Sequence, residues 1–491
     1  SLLAPVVKFS QRPLLIVPAK LVRKTEHDRA KLAKHWTLPQ HIRVMSYEWL
    51  GRAQAADALE AYKPDFVVLD ECHKVKNRHA AVSRRVIRFF STHPEVKCVA
   101  LSGTITKRSL HDYAHMLKWC LAPQKTPLPL RHTDLELWAD ALDERKGSPG
   151  EVRRADPGAL EIFCNEEEKK IWDHGDKRRA ARSAFRRRLI ETEGVIASYE
   201  TPIDATLTLS AVEPPVSEKV EEAFETLRST WETPDGWPIS DGLTLARHAR
   251  ELALGFYYVW DPRPPKHWLD ARREWCAFVR KVLKHSHKLD SELQVRRAYA
   301  EDPVLKAWQA VKDEFEPNTK PVWLDKSVLD WCAGWAEENK GIIWTEHTCF
   351  GEGLRDHGLA YYGKKGEDQQ RRTIESHEPG KPMVASMASN AEGRNLQAWS
   401  TNLITSFPPG GTLAEQVIGR THRPGQDADE VTFDVLVTCA EHVGAFWQAW
   451  RDASYVQAST GSPQKLLLAG IDMPDADDIA SRPGARWNKK T

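Results

Sequence analysis

The sequence predicts an α/β protein built on parallel sheets, and three observations predict it. Short apolar runs recur near both ends of the chain without strict alternation. Helical stretches such as "KTEHDRAKLAKHW" separate them. The two groups of runs flank a long middle of different character. A strand that is apolar on both faces is buried on both faces, the condition of a parallel sheet with helices packed on either side.

The early runs are "PLLIV" (13–17), "IRVMSY" (42–47), "DFVVLDE" (65–71) and "CVALSGT" (98–104). The late ones are "GIIW" (341–344), "PMVASM" (382–387), "NLITSF" (402–407) and "VTFDVLV" (431–437). A helix is predicted before the first late run, because Leu324, Val328, Trp331, Cys332 and Trp335 share one face at 3.6-residue spacing. The middle, 121–315, is rich in Arg, Trp and Glu and reads as mostly helical, with proline-marked loops such as "DPRPPKHW". The expected organisation is therefore a first α/β lobe over 1–120 and helical insertions over 121–315, including a basic helix at 176–189. A second α/β lobe follows over 316–462, then a docked segment and tail over 463–491.

At 491 residues two or three domains are expected. The net charge of +1 points to no polyanion partner, so any nucleic-acid contact must come from a local patch. The 8 cysteines show neither a CxxC pair nor metal-type spacing, which suits a reducing compartment and no structural zinc. No run of eighteen apolar residues and no signal peptide occurs, so a cytoplasmic location is the default expectation. The chain opens on serine: either it was processed, or residue 1 is not the start of the reading frame.

Ligands of an open parallel sheet bind beyond the carboxyl ends of its strands. Asp70 and Glu71 sit at that end of "FVVL", one strand away from "LSGT". Two adjacent carboxylates there suit a Mg²⁺-nucleotide. Asp70 would hold the metal through water, and Glu71 would orient or deprotonate the attacking water. His73 is placed to hydrogen-bond towards Ser102 or Thr104. An Asp-Glu pair also suits the dipole of a helix start. A second constellation is "GTLAEQVIGRTHRPGQ" (411–426). Thr412 and Glu415 form a capping-box pattern that starts a helix near Leu413, and Pro424–Gly425 ends it. Gln416, Arg420 and Arg423 then fall at i, i+4 and i+7 on one face, able to clamp a polyphosphate.

In the order of these motifs the chain resembles superfamily-two helicases, and Swi/Snf-type DNA translocases in particular. "LLIVPAKL" is similar to motif Ia, "MSYEWL" to motif Ib, and "LDECHKVKN" to the DEAH-type motif II, with Cys72 in place of alanine. "LSGTITKRSLHDYAHMLKWCLAP" resembles motif III and its sequel. "GIIWTEH" falls where motif IV belongs, "SNAEGRNLQAWSTNLI" is similar to motif V, and "EQVIGRTHRPGQ" closely matches motif VI. The resemblance runs from about residue 13 to 426. The compact chain, the segment "AFRRRLIETEGVIAS" and the many tryptophans are similar to bacteriophage members of the family, which would place the protein in a bacterial host cytoplasm.

The resemblance implies two RecA-like lobes of the P-loop NTPase fold, with ATP and Mg²⁺ between them. Asp70 and Glu71 act from the first lobe, and Arg420 and Arg423 from the second as arginine fingers supported by Gln416. Gly393 would approach the nucleotide. His73, Ser102 and Thr104 would couple the site to lobe closure. The implied partner is DNA, most simply duplex, gripped by its phosphates. Lys20, Ser46, Thr345, His347 and Asn395 are the implied contacts. A separate candidate is "DKRRAARSAFRRRL" (176–189), where Arg178, Arg182 and Arg186 share a face and Ala181, Phe185 and Leu189 turn inwards. It reads equally as a phosphate rail or as a solvated face. The tryptophans read as core.

One motif is missing. No GxxxxGK[ST] occurs in the chain. In the resembled family the motif I lysine precedes motif Ia by some twenty residues, which falls just before Ser1. Leu2, Leu3, Val6 and Val7 have the helical spacing of a helix that follows a phosphate loop. The expectation is a fragment whose full form carries that loop, a helicase-like ATP hydrolase that would be inactive as given. The rival expectations are a catalytically inactive nucleic-acid-binding module, and a subunit that takes its phosphate loop from another chain.

Overall fold

A computed structural model of the chain describes residues 10–35, 41–103, 105–106, 108–129, 131–143, 156–197, 203–286 and 288–488. The expectations on Leu2, Leu3, Val6, Val7 and Thr104 fall outside these residues. The chain divides into two compact units. One holds Ser1–Ser198, Pro264–Glu316 and Tyr455–Ser462, and the other Tyr199–Arg263, Pro317–Ser454 and Pro463–Thr491.

The first unit carries four strands: β1 (Pro13–Val17), β2 (Arg43–Ser46), β3 (Phe66–Leu69) and β4 (Lys97–Ala100). Their order is β2-β1-β3-β4 and every pairing is parallel. The α/β class read from the sequence is the one observed. β3 is buried at all four positions because it is flanked by β1 and β4 and covered on both faces. Parallel pairing brings the carboxyl ends of all four strands to one edge. Lys20, Ser46, Asp70 and Ser102 all follow from that edge.

The second unit carries β5 (Thr206–Val212), β6 (Phe256–Trp260), β7 (Thr319–Trp323), β8 (Ile342–Thr345) and β9 (Ala360–Tyr362). It continues with β10 (Met383–Ser386), β11 (Thr401–Ile404), β12 (Glu430–Leu436) and β13 (Gly470–Asp472). Seven of them form a parallel sheet in the order β13-β5-β12-β11-β8-β10-β9, and β6 pairs with β7 as an antiparallel ribbon. Helix Ser327–Asn339 buries Val328, Cys332 and Trp335 against this sheet, while Leu324 lies ahead of the helix rather than on its face.

The middle departs from expectation. The boundaries expected at 120 and 315 are not those of the compact units, and 121–315 is not one helical insertion. Its segment 203–263 belongs to the second unit and supplies β5 to the large sheet. "TLTLSAV" alternates polar and apolar because one face of β5 is partly exposed, so it lacks the continuous apolar signature of the other strands. Pro264–Glu316 belongs to the first unit instead. It is a three-helix insertion, Lys266–His285, Glu292–Ala298 and Pro303–Val311, with its own small core of Trp275, Val295 and Leu305.

All 8 cysteines are free thiols, and among the described residues no helix is long and apolar enough to cross a membrane.

Candidate active site

In the first unit the chain leaves β3 and turns sharply. Asp70 N–H donates to Ile16 O (2.9 Å), which extends the ladder by one residue. Asp70 C=O accepts from the buried Tyr47 hydroxyl (2.8 Å). Glu71 is left-handed (φ 53°, ψ 50°). A non-glycine residue there costs roughly 1–3 kcal/mol, and such strain collects at functional sites. Leu101 N–H to Leu69 O and Cys72 N–H to Leu101 O hold the backbone on the far side of the bend. Cys72 is buried among the apolar core, and that burial pushes its thiol pKa up.

His73 is buried, with Nδ1 3.1 Å from Ser102 Oγ and 3.2 Å from Glu71 Oε2. Nδ1 thus faces both a hydroxyl and a carboxylate. The link expected between His73 and Ser102 is therefore present, with Glu71 included. Burial raises the Asp70 pKa, and the neighbouring Glu71 charge raises it further. Such a carboxylate pair invites a cation. Among the described residues no group of three His, Cys, Asp or Glu is gathered to hold a metal.

Tyr47 and Glu48 were missed in the sequence. They open the short helix Tyr47–Leu50, which ties motif Ib to its neighbours: Tyr47 reaches Asp70, and Glu48 Oε2 accepts from Ala19 N–H (2.7 Å) in motif Ia. Ser46 caps this helix through Trp49 N–H (3.1 Å), so its hydroxyl is already engaged. Lys20 lies at the surface.

In the second unit helix Gly411–Thr421 presents the arginines. The capping box does not form. Gly410 is the N-cap without a side-chain bond, and Glu415 instead accepts from Lys465 and Leu466 N–H (2.9 Å each). Gly411 can start the helix because its backbone packs directly on the Ala440–Thr460 helix, where a Cβ would lie 2.7 Å from Asp452 Cβ. The helix ends at Thr421, ahead of Pro424–Gly425, so Arg423 is past its end and not on its face. The two arginines converge nevertheless. Arg420 Nη1 (3.0 Å) and Arg423 Nη1 (3.1 Å) donate to Arg394 O, and Arg423 also donates to Asn395 Oδ1 (2.6 Å). Gly393 has φ +71°, which lets the loop bend beneath them. Arg394, a third arginine the sequence reading missed, pairs with Glu375 (2.9 Å). Gln416 contributes its carbonyl to Arg420 Nε (2.9 Å).

The rest of that motif is structural. Thr421 Oγ1 accepts from Asn402 Nδ2 (3.2 Å), His422 Nε2 donates to Ala205 O (2.9 Å), and Gln426 donates to Trp399 O and Thr421 O.

The other implied contacts differ among themselves. Thr345 is fully buried, and its Oγ1 accepts from His347 N–H (3.2 Å), which leaves no face for a phosphate. His347 packs edge-on against Phe256, with Nε2 3.3 Å from Glu346 Oε1. Glu346 also takes Arg250 Nη1 (3.1 Å) and Ser406 Oγ (3.2 Å). Burial raises its pKa, but the His347 bond and the Arg250 charge outweigh that and leave it below the usual range.

Helix Lys177–Glu191 buries Ala181, Phe185 and Leu189 as expected. Four of its six arginines make protein contacts, while Arg179 is exposed. Arg178 donates to Asp140 and Ala141 O, and Arg182 to Leu142 O, capping the end of helix His132–Leu142. Arg187 binds Glu168, and Arg188 lies over the Phe163 ring. Arg186 is half-buried. The phosphate-rail reading loses most of its cations to these contacts.

Residues 10–128 match the sequence model of the SNF2-related domain. The matched span contains β1 to β4, the Asp70–Glu71 turn and the His73–Ser102 link. No curated protein matches the chain. Among solved structures it is similar to the crystal structure of the C-terminal part of the Fun30 ATPase domain, at 13% identity over 50% of this chain and 89% of that one, with a TM-score of 0.28.

Proposed function

We propose that this protein is an ATP-hydrolysing motor of the SNF2-like type that moves on DNA. The observation that carries the reading is the Asp70–Glu71 turn, held at a strand's carboxyl end inside the segment that matches the SNF2-related domain. Asp70 would hold Mg²⁺ through water. Glu71 would orient and deprotonate the attacking water, with His73 fixing its carboxylate. Arg420 and Arg423 would stabilise charge on the transferred phosphoryl group. Bound Mg²⁺-ATP supplies the phosphoryl group and part of the charge neutralisation. Ser102 would relay the state of Glu71 to the β4 side of the sheet, and Thr104 is proposed in the same role. Gly393 and Gln416 are proposed beside the nucleotide, and Lys20, Asn395 and His347 on the DNA side.

The second reading is a nucleic-acid-binding module without turnover. ATP hydrolysis with and without duplex DNA separates the two. It should be measured on the chain as given and on the chain extended by any residues its gene encodes before Ser1. The motor reading expects DNA-stimulated hydrolysis that Glu71→Gln lowers at least about a hundredfold while ATP binding is kept. No stimulated hydrolysis from any form sinks it. Equal loss of binding and turnover in Glu71→Gln removes Glu71 as the base.

A further inference from the structure

We propose that the exposed face of the Lys266–His285 helix, with the turn that follows it, is a phosphate-backbone contact for duplex DNA, carried by Arg280, Lys281 and Lys284 on the helix and Lys288 in the turn. The proposal rests on the motor reading above. It concerns a surface outside every motif discussed so far.

The helix is amphipathic. Trp268 and Trp275 are buried, and Phe278, Val279, Val282 and Leu283 pack on the small core of the insertion. The opposite face carries Arg273, Arg280 and Lys284 at i, i+7 and i+11, all exposed, with the small Ala277 between them. At about 1.5 Å per residue this stripe runs ~16 Å, roughly five base steps of ~3.4 Å.

The sequence from Trp275 to Leu289 contains no Asp or Glu. The carboxylate that follows, Asp290, is buried and paired with Arg85 (2.8 Å) and Arg88 (2.7 Å). Arg273 has Asp270 as its partner. Among the described residues Arg280 donates to Cys276 O in its own helix (3.2 Å). Among the described residues Lys281, Lys284 and Lys288 have no carboxylate partner. In the Lys177–Glu191 helix, by contrast, Arg178, Arg182, Arg187 and Arg188 are engaged by carbonyls, Glu168 and an aromatic ring.

Cations in a last helical turn complement the dipole. That accounts for Lys284 and His285 but not for Arg280, Lys281 or Lys288. The surface is also held in place. Arg84 Nη1 donates to Leu289 O (3.2 Å) and Arg88 Nη1 to Lys288 O (3.1 Å), pinning the turn on helix Ala81–Thr92. A fixed group of lysines without carboxylate partners among the described residues binds a polyanion with little ordering cost.

The test is a fluorescence-anisotropy titration of a labelled mixed-sequence duplex at a series of salt concentrations, on the chain as given. Each lysine that contacts a phosphate adds about 0.9 to the slope of log K against log salt. The combined variant Lys281→Gln, Lys284→Gln, Lys288→Gln should lose about 2–3 from that slope and at least about tenfold in low-salt affinity. The charge-matched set Lys320→Gln, Lys326→Gln, Lys340→Gln should stay within about twofold of wild type. If the triple variant does not fold, Lys281→Gln alone must lower the slope by about one. Equal losses in both sets, an unchanged first set, or no duplex binding by the wild type overturns the proposal. So does loss of heparin binding with duplex binding kept. Hydrolysis assayed on the same proteins separates the two ideas. Stimulated turnover with unchanged DNA binding in the triple variant keeps the motor and removes this surface. Weakened binding with no turnover in any form keeps the surface and removes the motor.

Discussion

At the scale of single residues the candidate site works against its own stability. Burial and Glu71 raise the Asp70 pKa, so the folded state holds the Asp70 proton more tightly than the unfolded chain does. Stability contributed by this group is therefore lost as pH rises through its folded pKa. Asp70→Asn is expected to raise the melting temperature at pH 7. The gain should vanish below about pH 4, where both states of the wild type are protonated. Thermal melts of the two proteins across pH check this. A variant less stable than wild type at pH 7 would mean that Asp70 is a structural acceptor rather than a site held for a cation. The left-handed Glu71 adds a second local cost, offset by the hydrogen bonds of Asp70 and Cys72 around it. A carboxylate pair that is costly without a counter-ion is expected where a counter-ion belongs.

At the scale of elements, short pieces are positioned by side chains distant in sequence. The Tyr47–Leu50 helix is too short to be stable alone. It is held by Tyr47 on Asp70, by Glu48 on Ala19, and by Arg85, whose guanidinium reaches Leu50 and Arg52 O. Arg85 in turn shares the buried Asp290 with Arg88, which fastens the three-helix insertion to the Ala81–Thr92 helix. Asp290→Ala removes the only carboxylate described at Arg85, whose side chain is 2% exposed. Leaving that cation buried should destabilise the first unit by about 3–5 kcal/mol. Urea denaturation measures the loss, and limited proteolysis should find new cuts within 264–316. A loss under about 1 kcal/mol would show that the carbonyls alone satisfy Arg85. The helix that carries Arg420 makes the same point. Its start is set by the close packing of Gly411, and Glu415 serves the neighbouring Lys465–Leu468 turn.

At the scale of the whole molecule, each unit hides a neutral histidine. His442 in the second unit is buried, and burial, with the nearby Arg250 charge, lowers its pKa to about 3. In the first unit burial lowers His115 to about 4, against the bond from Nε2 to Val75 O. The unfolded chain binds these protons near pH 6.5 and the folded chain does not. Stability is therefore unaffected above about pH 6.5 and lost as pH falls towards the folded values. Each histidine costs up to about 1.4 kcal/mol per pH unit. His442→Gln should flatten the slope of unfolding free energy between pH 6 and 4, read by urea denaturation at each pH. The same slope in the variant would remove His442 as a cause.

Much of this protein was legible before its structure. Short apolar runs located eight of the strands, most plainly those such as β3 and β8 that are buried at every position. The two charged motifs stood out because carboxylates at a strand end and neighbouring arginines suit a Mg²⁺-nucleotide, although Arg423 lies past the helix end rather than on its face. Only the tertiary structure decided three further matters. It placed β5 in the large sheet, since a half-exposed strand alternates and gives no buried signature. It returned 264–316 to the first unit through one buried aspartate whose arginines lie some two hundred residues away in sequence. It also separated the two basic helices. A sequence counts cations but does not say which of them already have partners. Arg178, Arg182 and Arg187 of the Lys177–Glu191 helix meet carbonyls and Glu168, while Lys281, Lys284 and Lys288 face solvent without a carboxylate among the described residues. Charge pairing depends on what lies across space, and that is settled only when the chain is folded.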